Sequence, residues 1–137
     1  MKILVVDDSR FQRFLFTKLL KKWDFSPIEA SSGEEALKII FDKNRTPPEI
    51  VVIDWIMPGI SGPETIRMIR EKIASPQIYI LLVTSKSTIE DVLTGLDVGA
   101  DDYMTKPVNP DEFMLRLRNA TRLIKSFKKN IESENKI

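Results

Sequence analysis

Five short apolar runs alternate with five longer amphipathic stretches, and that alternation predicts a parallel sheet covered by helices on both faces. The runs are Ile3 to Val6, Pro27 to Ala30, Ile50 to Ile53, Ile78 to Val83 and Asp102 to Thr105. Ile50-Val51-Val52-Ile53 is continuous and β-branched, which suits a strand buried on both sides. Helix starts are marked between the runs. Ser32-Gly33-Glu34-Glu35 and Ser87-Thr88-Ile89-Glu90 read as capping boxes. Asn109-Pro110-Asp111-Glu112 offers an Asn cap, a proline at the first helical position and acids where the helix dipole favours them. Ile89, Val92, Leu93 and Leu96 recur at helical spacing, as do Phe11, Leu15, Leu19 and Trp23, and both stripes are expected to face the sheet. The last pattern, Phe113, Leu117, Ala120, Ile124, Phe127 and Ile131, outruns what one core needs. We therefore read 1–125 as one domain and 126–137 as a helical extension, or the start of a linker to an output domain.

Composition narrows the chemistry. The 137 residues have room for one hydrophobic core without covalent staples. Twenty-one Lys and Arg against 20 Asp and Glu leave a net charge of +1, so nothing global attracts nucleic acid and any charge logic is local. There is no cysteine and no histidine, which excludes thiolate and imidazole chemistry and any phosphohistidine within this chain. Carboxylates, hydroxyls and lysine are what remain. The first apolar run is too short for a signal peptide, and no stretch is long enough to span a bilayer. A cytoplasmic domain that itself binds neither membrane nor nucleic acid is the expectation.

In an open parallel sheet, ligands bind beyond the carboxyl ends of the strands. Asp7 and Asp8 follow the first run, Asp54 the third, Thr84 the fourth and Lys106 the fifth. Each has an ordinary explanation as a cap or a solvated side chain, but four strand ends supplying three acids, a hydroxyl and an amine make one constellation. Like charges about 4 Å apart cost on the order of 4 kcal/mol at an effective dielectric near 20, so such a cluster demands a cation. Oxygen ligands with open positions suit Mg2+, whereas Ca2+ lacks the longer ligand loop it prefers. Lys106 as a point charge and the Thr84 hydroxyl could hold phosphoryl oxygens.

From about residue 2 to 125 the chain resembles CheY-like receiver domains of bacterial response regulators. The resemblance rests on Val5-Val6-Asp7-Asp8-Ser9, on Ile53-Asp54-Trp55-Ile56-Met57-Pro58-Gly59-Ile60-Ser61-Gly62, on Val83-Thr84-Ser85, on Gly99-Ala100-Asp101-Asp102-Tyr103 and on Thr105-Lys106-Pro107. It implies an α/β, flavodoxin-like, doubly wound sheet of five parallel strands in order 2-1-3-4-5 with five helices. Asp54 would be the phosphoacceptor. Asp7, Asp8, Asp54 and the Ile56 backbone carbonyl would bind Mg2+, and Lys106, after which a cis bond to Pro107 is expected, would pair with the acyl phosphate. Thr84 and Tyr103 would form a switch that alters the face made by the fourth helix, fifth strand and fifth helix. The resemblance further implies a two-component signalling protein that is not an enzyme on a separate substrate but catalyses only its own phosphorylation and dephosphorylation. Its donor would be a sensor histidine kinase or phosphotransfer protein; its target, an output domain or partner, with homodimerisation on phosphorylation one outcome.

Two residues depart from the best-known members: Ile56 is apolar where many carry a polar residue, and Lys86 is basic. The run from Arg116 to Leu123 is similar to helices that lead into nucleotide-cyclase or phosphodiesterase outputs. Rival readings are weaker. A nucleotide enzyme would be expected to carry G-x-G-x-x-G or G-x-x-x-x-G-K, and an aspartyl phosphatase Asp-x-Asp after the first strand, none of which occurs. An interaction module without the chemistry has no use for the full acid, hydroxyl and lysine set.

Overall fold

The computed structural model describes residues 1–134. Five strands, β1 (Lys2–Val6), β2 (Ser26–Ala30), β3 (Ile50–Ile53), β4 (Tyr79–Thr84) and β5 (Asp102–Thr105), alternate with α1 (Arg10–Lys22), α2 (Gly33–Ile40), α3 (Gly62–Arg70), α4 (Ile89–Asp97) and α5 (Pro110–Glu134). The sheet is parallel in order β2-β1-β3-β4-β5.

The period-2 alternation of strand side chains splits the interior in two. Leu4, Val6, Val51, Ile53, Ile80 and Leu82 point to one face and pack under α2, α3 and α4. Ile3, Val5, Val52, Leu81 and Val83 point to the other, where Phe16 and Leu20 of α1 and Phe113, Leu117, Ala120 and Ile124 of α5 cover them. Phe16 meets Phe113 edge-on at 5.2 Å between ring centroids, joining the two helices over the sheet.

The caps locate the helix starts. Ser32 Oγ accepts from the Glu35 amide, and Asn109 Oδ1 accepts from the Asp111 and Glu112 amides. The Glu35 carboxylate, however, takes the amide and hydroxyl of Ser31, one residue before the expected partner. At α4 the cap is Thr88, whose hydroxyl accepts from the Asp91 amide, and not Ser87.

Both helical stripes are corrected in part. In α1, Phe11 and Leu15 are exposed, at 67% and 41%, while Leu19 and Trp23 are half-buried and Phe16, Thr17 and Leu20 take the sheet-facing positions. Apolar residues occupy two arcs of this helix, and the sheet covers one. In α4, Ile89 and Leu93 are 77% and 62% exposed and Leu96 40%, and of the expected stripe only Val92 packs inward. The reason is Gly95: a Cβ there would meet Leu82 at 2.7 Å and Tyr103 at 3.0 Å, so the helix makes its closest approach at glycine. That contact points the Val92–Gly95–Val98 side inward and turns the leucines away.

In α5 the buried face ends at Ile124, Phe127 is half-buried and Ile131 is 40% exposed, although the helix continues to Glu134. Asn135 to Ile137 of the expected extension lie outside the described residues. No described helix is long and apolar enough to cross a membrane.

Candidate functional site

Register brings the acids together. Val6 pairs with Ile53 across β1 and β3, so Asp7 and Asp54 leave neighbouring strands at the same level. The ladder extends one step further, the Asp54 amide donating to Val6 O at 3.0 Å and the Asp7 amide to Ala30 O at 3.2 Å. Neighbouring parallel strands lie about 4.8 Å apart, which sets the scale of the cluster. Carboxylate oxygens of Asp7, Asp8 and Asp54 lie within 4.8 Å of one another; Asp7 is buried, Asp54 half-buried and Asp8 exposed.

Lys106 follows β5, two strands from β3, a span of about 10 Å that a long side chain has to bridge. Its amide donates to Thr84 O at 2.9 Å, and its bond to Pro107 is cis, as the resemblance implies. The ammonium then donates to Asp7 Oδ2 at 2.9 Å and to Asp54 Oδ2 at 3.0 Å. Burial pushes the lysine pKa down, but the hydrogen bonds and charges of Asp7 and Asp54 outweigh it and hold it above the usual lysine value. The other oxygens are held by the backbone: Asp7 Oδ1 by the Ser9 amide at 2.9 Å, Asp54 Oδ1 by the Trp55 amide at 2.6 Å. Each of these two carboxylates thus spends one oxygen on orientation and the other on charge.

Three carboxylates against one ammonium leave two negative charges unmatched, the charge of one divalent cation. The donors are all oxygen and Asp8 faces solvent, so the residues present fit Mg2+ with open positions. Ile56 lies in the loop two residues after Asp54 with its side chain 60% exposed.

Thr84, fully buried at the end of β4, accepts weakly from the Lys86 amide at 3.4 Å. Tyr103 is also buried, and its hydroxyl donates to Lys86 O at 2.7 Å. Burial, helped by the charges of Asp91 and Asp54, pushes the Tyr103 pKa up to about 12. The Lys86 ammonium lies 5.1 Å from the Trp55 ring centroid and 3.9 Å from Asp91. The expected residues thus occupy one end of the sheet, with Lys86 connecting Thr84, Tyr103 and the loop after Asp54.

Several supports escaped the sequence reading. Arg13 donates to the Asp7 carbonyl at 2.8 Å and pairs with Glu29 at 3.1 Å, bracing the end of β1 from α1. Its position four residues after the Ser9 cap, on the side of the helix above β1, was the available signal. Glu34 of α2 accepts from the Ile60 amide at 3.2 Å and so fixes the loop after Asp54, a long-range contact without a local signature. Beside Lys106, α1 and Pro107, Val108 and Pro110 enclose an apolar groove of about 690 Å³, lined also by Leu15 and Leu19.

Comparison with known proteins identifies the family. The family model of the response regulator receiver domain matches residues 3–118. The chain belongs to the receiver domain family of response regulators. The receiver is 34% identical over 120 residues to the phosphate regulon transcriptional regulatory protein PhoB of Pseudomonas aeruginosa, covering 88% of this chain and 51% of that protein. It is similar to a solved structure described as a probable two-component system response regulator/GGDEF domain protein, with TM-score 0.84, 29% identity and coverage of 91% of this chain and 50% of that one. It is also similar to the chemotaxis protein CheY4 of Vibrio cholerae, with TM-score 0.76, 27% identity and coverage of 87% and 97%. The receiver spans about half the length of the curated relatives it matches. As a receiver of two-component signalling it is a switch whose function is control of an output through phosphorylation.

Proposed function

We propose that Asp54 is the phosphoacceptor of this receiver and that Asp7, Asp8, Asp54 and the Ile56 carbonyl hold Mg2+. The observation that carries the reading is the lysine bridge: Lys106 reaches Asp7 and Asp54 together at 2.9 and 3.0 Å from the end of β5, three strands from β1 and two from β3. An Asp54 carboxylate oxygen attacks the phosphorus of a phosphohistidine on a sensor kinase or phosphotransfer protein. The P–N bond breaks, and its electron pair leaves with the imidazole, which takes a proton from its surroundings. Lys106 supplies fixed positive charge beside the new acyl phosphate, and Thr84 supplies a hydroxyl donor. Bound Mg2+ would add charge neutralisation at the phosphoryl oxygens.

Capture of the phosphoryl group by Thr84 and Lys106 draws on groups tied to Lys86 and Tyr103, and so biases the α4-β5-α5 face between two packings. That face is the proposed contact for an output domain or partner, including a second phosphorylated copy. We further propose that 126–137 leads toward such an output, since α5 passes the last buried core residue without interruption. Its cytoplasmic setting follows from the kinase-linked role. The exposed Ile56 side chain flanks the acceptor, and we assign it the role of hindering in-line water and so lengthening the acyl-phosphate lifetime.

Incubation with Mg2+ and acetyl phosphate, followed by intact mass, tests the acceptor. One added phosphoryl group that disappears in Asp54→Asn is expected. No addition, or the same addition in the variant, overturns the assignment. For Ile56, loss of phosphate from Ile56→Asn should be faster than from the parent chain; equal or slower loss removes that role.

A further inference from the structure

The far end of the helices carries a feature that phosphoryl chemistry does not use. Trp23 caps the C-terminus of α1, whose thirteen residues, at about 1.5 Å each, place it roughly 20 Å from the end that starts beside Asp7. There Trp23, Phe25 and Met114 floor a groove of about 430 Å³ between α1 and α5. Its rim is cationic: Arg118, Arg122 and Lys125 fall at i, i+4 and i+7 on α5 and are all exposed. None of the three is in an ion pair among the described residues, and no carboxylate among them lines the groove. Like charges four apart on a helix repel, so the stripe opposes helix stability and goes unrelieved among the described residues. Lys18 and Lys22 of α1 belong to the separate groove beside Lys106.

We propose that this groove docks an acidic amphipathic helix of a partner protein. An apolar floor asks for apolar side chains, and a rim of unpaired cations asks for carboxylates beside them, which together specify a helix with one apolar stripe flanked by Glu or Asp. A nucleic acid satisfies the rim but leaves the Trp23, Phe25 and Met114 floor without an apolar counterpart. The site is separate from Asp54 and does not depend on the phosphoacceptor assignment.

The test uses a synthetic helical peptide whose Leu and Phe stripe is flanked by Glu, titrated into the Trp55→Phe chain, in which Trp23 is the sole tryptophan. The expected result is a change in Trp23 emission on binding, lost with a Lys-for-Glu peptide. Arg118→Glu with Arg122→Glu should weaken binding at least about tenfold and confer binding of the Lys peptide, because the interaction is set by charge complementarity. Arg118→Gln with Arg122→Gln should weaken binding of the Glu peptide in the same direction with less perturbation, and a cooperative urea-unfolding transition of each variant serves as the folding check. The proposal is overturned if the Glu peptide does not bind, if it binds these variants as tightly as the parent, or if a stripe-scrambled Glu peptide or a single-stranded oligonucleotide of equal charge binds equally well.

Discussion

The Tyr103 hydroxyl donates to the backbone carbonyl of Lys86 at 2.7 Å, tying the ring of β5 to the loop after β4. Because Tyr103 is buried, this bond holds the loop from inside the protein. Tyr103→Phe keeps the ring and deletes the bond, leaving a carbonyl without that partner. We expect a loss of about 0.5–1.5 kcal/mol in urea unfolding, with phosphorylation by acetyl phosphate still occurring. Unchanged stability would show that the bond is replaced without cost.

Lys106 is the counter-charge of two carboxylates. Lys106→Met removes it while retaining much of the bulk, and in the absence of divalent cation the variant should be less stable than the parent by about 1–3 kcal/mol. Mg2+ should stabilise the variant more than the parent, because the ion then answers three uncompensated acids. Parallel urea melts with Mg2+ and with chelator measure both effects. An equal Mg2+ increment in the two proteins would separate Lys106 from the metal site.

Ion removal makes a related prediction for Asp8. Saturating Mg2+ at about 100 times its dissociation constant should raise the parent's unfolding free energy by about 2.7 kcal/mol, and Asp8→Ala should abolish most of that increment. Thermal melts across a Mg2+ series provide the check.

Gly62 stands at the start of α3, where an added Cβ would collide with the Asp54 carbonyl oxygen and lie 2.9 Å from Trp55 Cα. These obstacles are backbone and cannot rotate away. Gly62→Ala should therefore cost about 1–3 kcal/mol and displace Asp54, the proposed acceptor, read as reduced stability together with slower phosphorylation. Normal values for both would mean that the α3 start moves freely.

Tyr79 supplies a pH signature remote from the acids of the site. Burial, reinforced by the charges of Asp102 and Asp101, raises its pKa from 10.0 to about 12. The unfolded chain ionises this phenol first. Its contribution is therefore fully present below about pH 10 and is lost as pH rises through about 12, with a magnitude on the order of 3 kcal/mol. Tyr79→Phe should lose less stability than the parent between about pH 9 and 11.5 in matched urea melts, and parallel curves would contradict the assignment.

The strands were legible because each is a short apolar run, and the parallel sheet because helical patterns separate the runs. Strand order came from the family resemblance, since no single run encodes its neighbours. Asp7, Asp54, Thr84 and Lys106 could be gathered in advance because a parallel sheet presents all its strand ends on one side. What periodicity could not show is which of two apolar arcs a helix buries. Phe11 and Leu15 have the same spacing as Phe16 and Leu20, and only packing against the sheet distinguishes them. In α4 the decisive residue was Gly95, which has no apolar side chain to count. Arg13 and Glu34 were likewise hidden, because their partners lie on other elements.

α5 begins four residues after Lys106 and runs unbroken for 25 residues. At about 1.5 Å per residue it is about 37 Å long, so a tilt of about 3° pivoting on its first turn sweeps the far end through about 2 Å. A helix of that length would turn a small tilt at its first turn, next to the loop that carries Lys106, into a displacement that another surface could read.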